Sequence, residues 1–506
     1  MKLFASIYIG SYEVTMKIFE IGQENSLKEI DCLKMQLDIS MDMLHKGEVL
    51  QSTMDRLCKV LLDMKKVMNN YKVDGFDCVA SSNLRQAKNE LYVLEQIKLR
   101  TGLNVKVLSN SEQRFLGYEA VASMEEFDRY ISESAVLVDV GGLSLQMTLF
   151  SKGKIVTTQQ LPLGTVSVAD DLQRLGSVDN ATDQIYEVVY KEIDVFKTMF
   201  LKDIKPQYLI LLGDQVNTNA ELFSDVAAKE LKQEDYTEFL RKINRQFIKQ
   251  LAKKYDVFLD NENLVEPFVM VHRAIVDKVE PEFVYAPGIA VSEGIAYDYC
   301  FKKKWLEQSH DFSADVISAA WSIAKRYGSY QPHLKALVKF SGLIFDATKK
   351  YHGMGKRERI LMEAIAILHD CGKYISIADA SDCSYTIIMS SEILGLTHKE
   401  REIIATTVAA NRRQLMGYEY YQDRFTPHEY LMISKLLAML KVANALDRSH
   451  KQKLKSVDMK VKKSELVITI ESNASIGLEK GFFSKNADFF ESVFSIRPII
   501  REKKSY

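Results

Sequence analysis

Ala135-Val136-Leu137-Val138-Asp139-Val140-Gly141-Gly142-Leu143-Ser144-Leu145-Gln146-Met147-Thr148-Leu149-Phe150 is an apolar run, a glycine turn with one acidic residue ahead of it, and a second apolar run. This pattern predicts two strands joined by a tight turn. The same plan stands at Phe4-Ala5-Ser6-Ile7-Tyr8-Ile9-Gly10-Ser11-Tyr12-Glu13-Val14-Thr15-Met16-Lys17-Ile18-Phe19. A glycine turn folds without a Cβ, so backbone N–H groups can crowd around an anion. Taken alone, such a turn is a hairpin connection and nothing more. Two of them facing each other across a groove would clamp a phosphate chain. The copies differ just before the turn, where one has Asp139 and the other Tyr8.

Outward from these hairpins the chain alternates strand and helix. Residues 1–130 read as strands at 3–9 and 12–20, a helix near 46–70, a buried strand at 76–80, a helix at 86–100, a strand at 105–108 and a helix from 111. Residues 131–302 repeat the theme, with strands at 135–140, 145–150, 154–162 and 208–212 and helices from 166 and 181. A connection at 301–315 leads into a helical region, 310–452. The last part, 455–506, reads as a hairpin around Lys463-Ser464-Glu465, a helix (477–493) and a strand (495–500). The expected fold class is α/β: two similar lobes, an all-helical domain and a small α+β tail.

Composition excludes several classes. A chain of 506 residues exceeds one core. A net charge of −1 supplies no global field for DNA or an acidic membrane surface. The six cysteines contain no CxxC pair, which suits reduced thiols. No uncharged apolar run reaches transmembrane length. Met1-Lys2-Leu3-Phe4 opens nothing like a signal peptide, so the expected compartment is the cytoplasm.

Further landmarks follow the two hairpins in order. They are Ala80-Ser81-Ser82-Asn83-Leu84-Arg85-Gln86-Ala87-Lys88-Asn89, Ser109-Asn110-Ser111-Glu112-Gln113, Gly213-Asp214 after the 208–212 strand, and Ser292-Glu293-Gly294. Together they resemble the exopolyphosphatase / guanosine pentaphosphate phosphatase (Ppx/GppA) family of the actin-like ATPase superfamily, with an HD-type helical domain behind it. The likeness covers nearly the whole chain. It implies two actin-like (ribonuclease H-like) lobes, and a Mg²⁺-dependent hydrolase releasing terminal phosphate from inorganic polyphosphate or guanosine pentaphosphate. A homodimer is implied too. By the same resemblance Gly10, Ser11, Arg85, Gly141, Gly142 and Ser144 would hold phosphate, Asp139 and Glu293 would hold Mg²⁺, and Glu112 or Gln113 would aim the water.

Several positions depart from the family pattern. Its first-turn aspartate is Tyr8, its catalytic glutamate aligns with Gln113 beside Glu112, its second-turn glutamate is Gln146 and its third glycine is Leu143. Gln cannot act as a base at neutral pH, and losing a general base alone costs about 10²–10⁴ in rate. Leu143 would narrow the tolerance of the turn for positive φ. Weakened hydrolysis and a catalytically inactive polyphosphate- or alarmone-binding regulator are therefore both open.

The helical region offers a second pattern. His333, His369-Asp370 and Asp447 follow the order of HD-superfamily metal ligands, which would suit a second divalent ion and a metal phosphohydrolase. The supporting histidines of that superfamily are absent: Ala380-Ser381-Asp382-Cys383 and Ala410-Asn411-Arg412 stand in their places.

Overall fold

The computed structural model describes every residue except Met1, Tyr12, Gln23, Glu24, Asp38, 176–179, Asp203, 213–229, 244–263, Asn473 and 504–506. Gly213 and Asp214 therefore lie outside the described residues. The chain divides into two compact units, Met1–Asp311 and Phe312–Tyr506.

The first unit is built on two sheets of one plan. In the first, β1 (Lys2–Ile9), β2 (Glu13–Ile21) and β3 (Leu27–Gln36) form an antiparallel meander; β4 (Gly75–Ala80) and β5 (Lys106–Val107) then add in parallel on the far side of β1. The order is β3-β2-β1-β4-β5. In the second, β6 (Ser134–Val140), β7 (Leu145–Ser151) and β8 (Lys154–Leu161) form the meander. β9 (Tyr208–Leu212), β11 (Phe283–Tyr285) and the antiparallel β10 (Glu230–Lys232) extend it beyond β6. The two meander-plus-parallel sheets are the actin-like arrangement that the resemblance implies.

Both central strands are apolar along their length because both sheet faces are covered. Helices Gln51–Tyr71 and Glu90–Thr101 bury Leu57, Leu61, Val93 and Ile97 against Ile7, Val14 and Met16 on one face of the first sheet. On the other face Phe4, Tyr8 and Phe19 meet Val291, Ile295 and Ala296 of helix Val291–Lys303. The second sheet packs Val136, Val138 and Leu211 against helices Ala181–Phe196 and Val265–Val279.

The expected strands and helices of this unit recur with shifts of a few residues. The helix near 46–70 is broken at Gly47 into Ile39–Lys46 and Gln51–Tyr71. Strand β3 was not anticipated: it is an edge strand with no fully buried residue, so its sequence carries no apolar run. The expected connection 301–315 is helical as far as Lys303, and helix Phe312–Arg326 begins within it.

The second unit is helical from Phe312 to Ala445. Thr397 with Glu400, and Thr426 with Glu429, form reciprocal capping boxes that start helices His398–Ala410 and Pro427–Ala445. Strands β12 (Leu454–Lys462) and β13 (Glu465–Ser472) pair antiparallel across a turn in which Lys463 takes φ +54°. Helix Gly477–Phe494 follows, and β14 (Arg497–Glu502) returns parallel to β13. Among the described residues no helix is long and apolar enough to cross a membrane.

Candidate active site

The two glycine turns meet. Tyr8, Gly10, Ser11 and Glu13 of the first hairpin and Asp139, Gly141 and Gly142 of the second line one cavity of about 50 Å³, together with Gln113. A methyl group on Gly142 would stand 3.3 Å from Ser11 Cβ and 3.2 Å from Val166 Cγ2. A side chain at 142 would crowd both neighbours, so the constraint on this glycine is room and not backbone freedom. Neither Gly10, Gly141, Gly142 nor Leu143 has φ in the left-handed region, so the expectation that Leu143 strains the turn is corrected.

Not every backbone donor in the turns is open to an anion. The N–H of Gly10 donates to Glu13 O at 2.8 Å, and that of Gly141 to Ser144 O at 3.0 Å, closing each hairpin. The N–H groups of Gly142 and Leu143 make no hydrogen bond among the described residues. At Ser11 the hydroxyl accepts from Asn83 Nδ2 at 2.6 Å.

Arg114, which the sequence reading passed over, ties the second turn to helix Asn110–Ala122. Its guanidinium is buried, donates to Ser144 Oγ at 2.8 Å, and lies 3.4 Å from Asp139 Oδ2. Burial pushes the Asp139 carboxyl above the usual carboxylate range, and Arg114 opposes that shift. Glu13 was also passed over. It lines the cavity, and its Oε1 accepts from the Thr15 hydroxyl at 2.9 Å; its Oε2 makes no hydrogen bond among the described residues. An arginine five residues into a helix and a glutamate three past a turn give no local signal; only the assembled cleft selects them.

The other sequence-predicted residues lie as follows. Gln113 faces the cavity, and its Oε1 accepts from the Ser82 N–H at 2.9 Å and the Ser82 hydroxyl at 3.2 Å. Glu112 is not among the lining residues. It caps its own helix by accepting from the Ser109 N–H (2.9 Å) and hydroxyl (2.8 Å), and pairs with Lys106 at 2.8 Å. Burial works against its ionisation, but Lys106 and Ser109 prevail and hold its carboxyl below the usual range. Arg85 is exposed, does not line the cavity and donates to Val107 O at 2.9 Å. Glu293 caps Ala290 N at 2.9 Å and pairs with the buried Lys17 at 2.5 Å. Ser144 does not line the cavity; its hydroxyl accepts from Arg114 and, at 3.3 Å, from Gln160 Nε2.

In the helical unit, ligand atoms of His333, His369 and Asp370 lie within 4.8 Å of one another. Asp447 is bonded to His333 Nδ1 at 2.8 Å and to Gln452, behind that group.

A model of the Ppx/GppA phosphatase family matches residues 18–303, over half of the chain, and one of Ppx/GppA phosphatase domain III matches residues 318–486. The chain belongs to the Ppx/GppA phosphatase family. Within this Ppx/GppA chain Tyr8 and Gln113 are cavity wall. Gln146 is buried and paired across the strands with Asp139. A curated relative, the bifunctional 3-dehydroquinate synthase/phosphatase of Fusobacterium nucleatum, is 23% identical over 283 residues. The match takes in 51% of this chain and 41% of that relative, so the chain spans less than half of its length. Among solved structures the chain is similar to the Aquifex aeolicus Ppx/GppA phosphatase, type II variant (20% identity, 59% of this chain and 99% of that one, TM-score 0.46). It is also similar to an exopolyphosphatase from Cytophaga hutchinsonii (15% identity, 61% and 100%, TM-score 0.48).

Proposed function

We propose that residues 1–311 form a phosphoanhydride hydrolase that releases the terminal phosphate of inorganic polyphosphate or of guanosine pentaphosphate. The observation that carries this reading is the approach of Ser11 to Gly142, which brings the two turns together in one cleft walled by Asp139, Glu13 and Gln113. Phosphoryl transfer asks for positioning, charge neutralisation and an aimed water more than for covalent chemistry. The N–H groups of Gly142 and Leu143 and the Ser11 hydroxyl hold the terminal phosphate oxygens. Arg114 fixes Ser144 and balances Asp139. Glu13, which lines the cleft, orients the attacking water in place of Gln113. The hard oxygen donors of Asp139 and Glu13 fit Mg²⁺, which when bound neutralises phosphate charge. Function as a cytoplasmic homodimer, and the domain limits 1–130, 131–302, 310–452 and 455–506, belong to the same reading.

A second reading is favoured by one observation. The Gln113 amide, at the position of the family glutamate, is tied to Ser82 and has no basic oxygen. On that reading the cleft binds the polyanion and releases nothing, as a regulator would. Release of phosphate from long-chain polyphosphate with Mg²⁺, beside equilibrium binding of the same polymer, separates the two. Release by wild type and its loss in Glu13→Gln with binding kept supports hydrolysis; binding with no release in wild type rejects it.

A further inference from the structure

Gln113 is held from two sides. Its backbone lies in the first turns of helix Asn110–Ala122, where the Ser109–Glu112 capping box fixes the start and the Gln113 N–H donates to Ser109 O at 2.9 Å. Its side chain meets the one-turn helix Ser82–Gln86. That short helix follows β4 closely, and the Ser81 N–H donates to Ile9 O at 2.8 Å, next to the first glycine turn. The partner of Gln113 is therefore anchored to the hairpin that carries Ser11.

The chemistry of that contact settles which way the amide faces. The Ser82 N–H lies 2.9 Å from Gln113 Oε1, and the Ser82 hydroxyl 3.2 Å from it. A peptide N–H only donates, so the atom it meets must be the amide oxygen and not the nitrogen. The oxygen is taken up by Ser82. The Nε2 group, with its two N–H donors, makes no hydrogen bond among the described residues. Gln113 lines the cavity together with Gly142, whose own N–H makes no hydrogen bond among the described residues. The carboxylates of Asp139 and Glu13 stand in the same wall. A third carboxylate at 113 would repel an anion there, whereas an amide N–H attracts it.

We infer that Gln113 is a phosphate-binding residue of this chain, its Nε2 donating to an oxygen of the terminal phosphate, and that Ser82 is the positioning residue that aims it. This rests on the reading of the cleft as a polyanion site and holds whether or not hydrolysis follows. The N–H groups of Gly142 and Leu143 reach the phosphate from the second turn and Gln113 reaches it from the helix, so two elements grip one group. A bond from N–H to an ionised phosphate oxygen is charge-assisted. An amide makes it equally with bound substrate and with released phosphate, so the gain is in affinity and not in the barrier.

The test is equilibrium binding of imidodiphosphate, whose P–N–P bridge resists hydrolysis, to the full chain with Mg²⁺, read by calorimetry. Gln113→Met keeps the length without donor or charge and is expected to weaken binding by about tenfold. Gln113→Glu keeps the acceptor for Ser82 and puts an anion where the donor was, so its affinity should fall by about 100-fold, whatever it does to turnover. Ser82→Pro removes both donors to Gln113, and the Ser81 backbone (φ −60°, ψ 156°) already has the shape that precedes proline. It should weaken binding by about 3- to 10-fold, with Ser82→Thr close to wild type. Urea midpoints of the same samples separate a lost contact from lost folding. Wild-type affinity in Gln113→Met, or tighter binding in Gln113→Glu, overturns the inference and leaves the polyanion reading standing. Wild-type affinity in Ser82→Pro overturns the positioning role of Ser82. No binding by the wild-type chain at millimolar imidodiphosphate overturns the polyanion reading, and this inference with it.

Discussion

Arg114 Nη2 donates to Ser144 Oγ across 2.8 Å, from a helix that begins at Asn110 to the turn after β6. The same guanidinium faces Asp139 at 3.4 Å. One buried cation thus sets the geometry of the second glycine turn and the charge of its acid. In Arg114→Ala, Asp139 loses its partner, and phosphate release is expected to fall on the order of 10- to 100-fold in kcat/KM. Arg114→Lys keeps the charge but not the fork and should recover only part of it. Full activity in Arg114→Ala, measured by phosphate release, would remove this residue from the site.

Gln113 and Glu13 both line the cleft. Glu13→Gln is expected to lower kcat by about 10²–10⁴, the usual worth of a general base, with little change in polyphosphate binding. Gln113→Glu should raise the rate, because it adds a further carboxylate to the cleft wall. The double variant Glu13→Gln/Gln113→Glu distinguishes rescue from independence. If Glu13→Gln alone turns over like wild type, the water is aimed by another group.

Glu119 is buried in helix Asn110–Ala122, its Oε2 has no hydrogen-bond partner among the described residues, and burial with the nearby negative charge of Asp298 pushes its carboxyl up to about 8. The unfolded carboxyl ionises near 4.5. Between those values the folded chain keeps a proton that the unfolded chain has released, so this group makes stability fall as pH rises from 4.5 to 8. Glu119→Gln keeps the neutral shape and removes that slope. Its expected gain at pH 7 is roughly 1–3 kcal/mol, vanishing below pH 4.5. Urea unfolding at pH 5 and pH 8 gives the comparison, and parallel pH dependence in the two proteins would refute the assignment.

Gly294 sits where helices Val291–Lys303 and Asn110–Ala122 touch. A Cβ there would stand 2.0 Å from Leu116 O, a backbone atom that cannot swing away. Gly294→Ala should therefore destabilise the first unit by roughly 1–3 kcal/mol, despite the higher helix propensity of alanine. Denaturant midpoints close to those of wild type would show that the helices part without cost.

Much of this was legible in the chain because strands and turns are written locally. Both hairpins, the 208–212 strand and the terminal hairpin around Lys463 stand where the apolar runs and turn residues put them. The polar edge strand β3 and the three-residue β10 and β11 left no such mark, since their pairing comes from neighbours and not from their own pattern. Around the cleft, Gly10, Ser11, Asp139, Gly141 and Gly142 were readable as a repeated motif. Arg85 and Glu112 matched the motif too, yet their side chains are engaged by Val107 and by Ser109 with Lys106.

The sequence by itself determined the two-lobed α/β plan, the helical region after it and the pair of glycine turns, because hydrophobic period and turn chemistry act over a few residues. Only the tertiary structure decided which side chains share the cleft. It brought Ser11 against Gly142, put Glu13 in the wall and set Arg114 beside Asp139, since contacts between residues far apart in the chain depend on how whole sheets and helices pack.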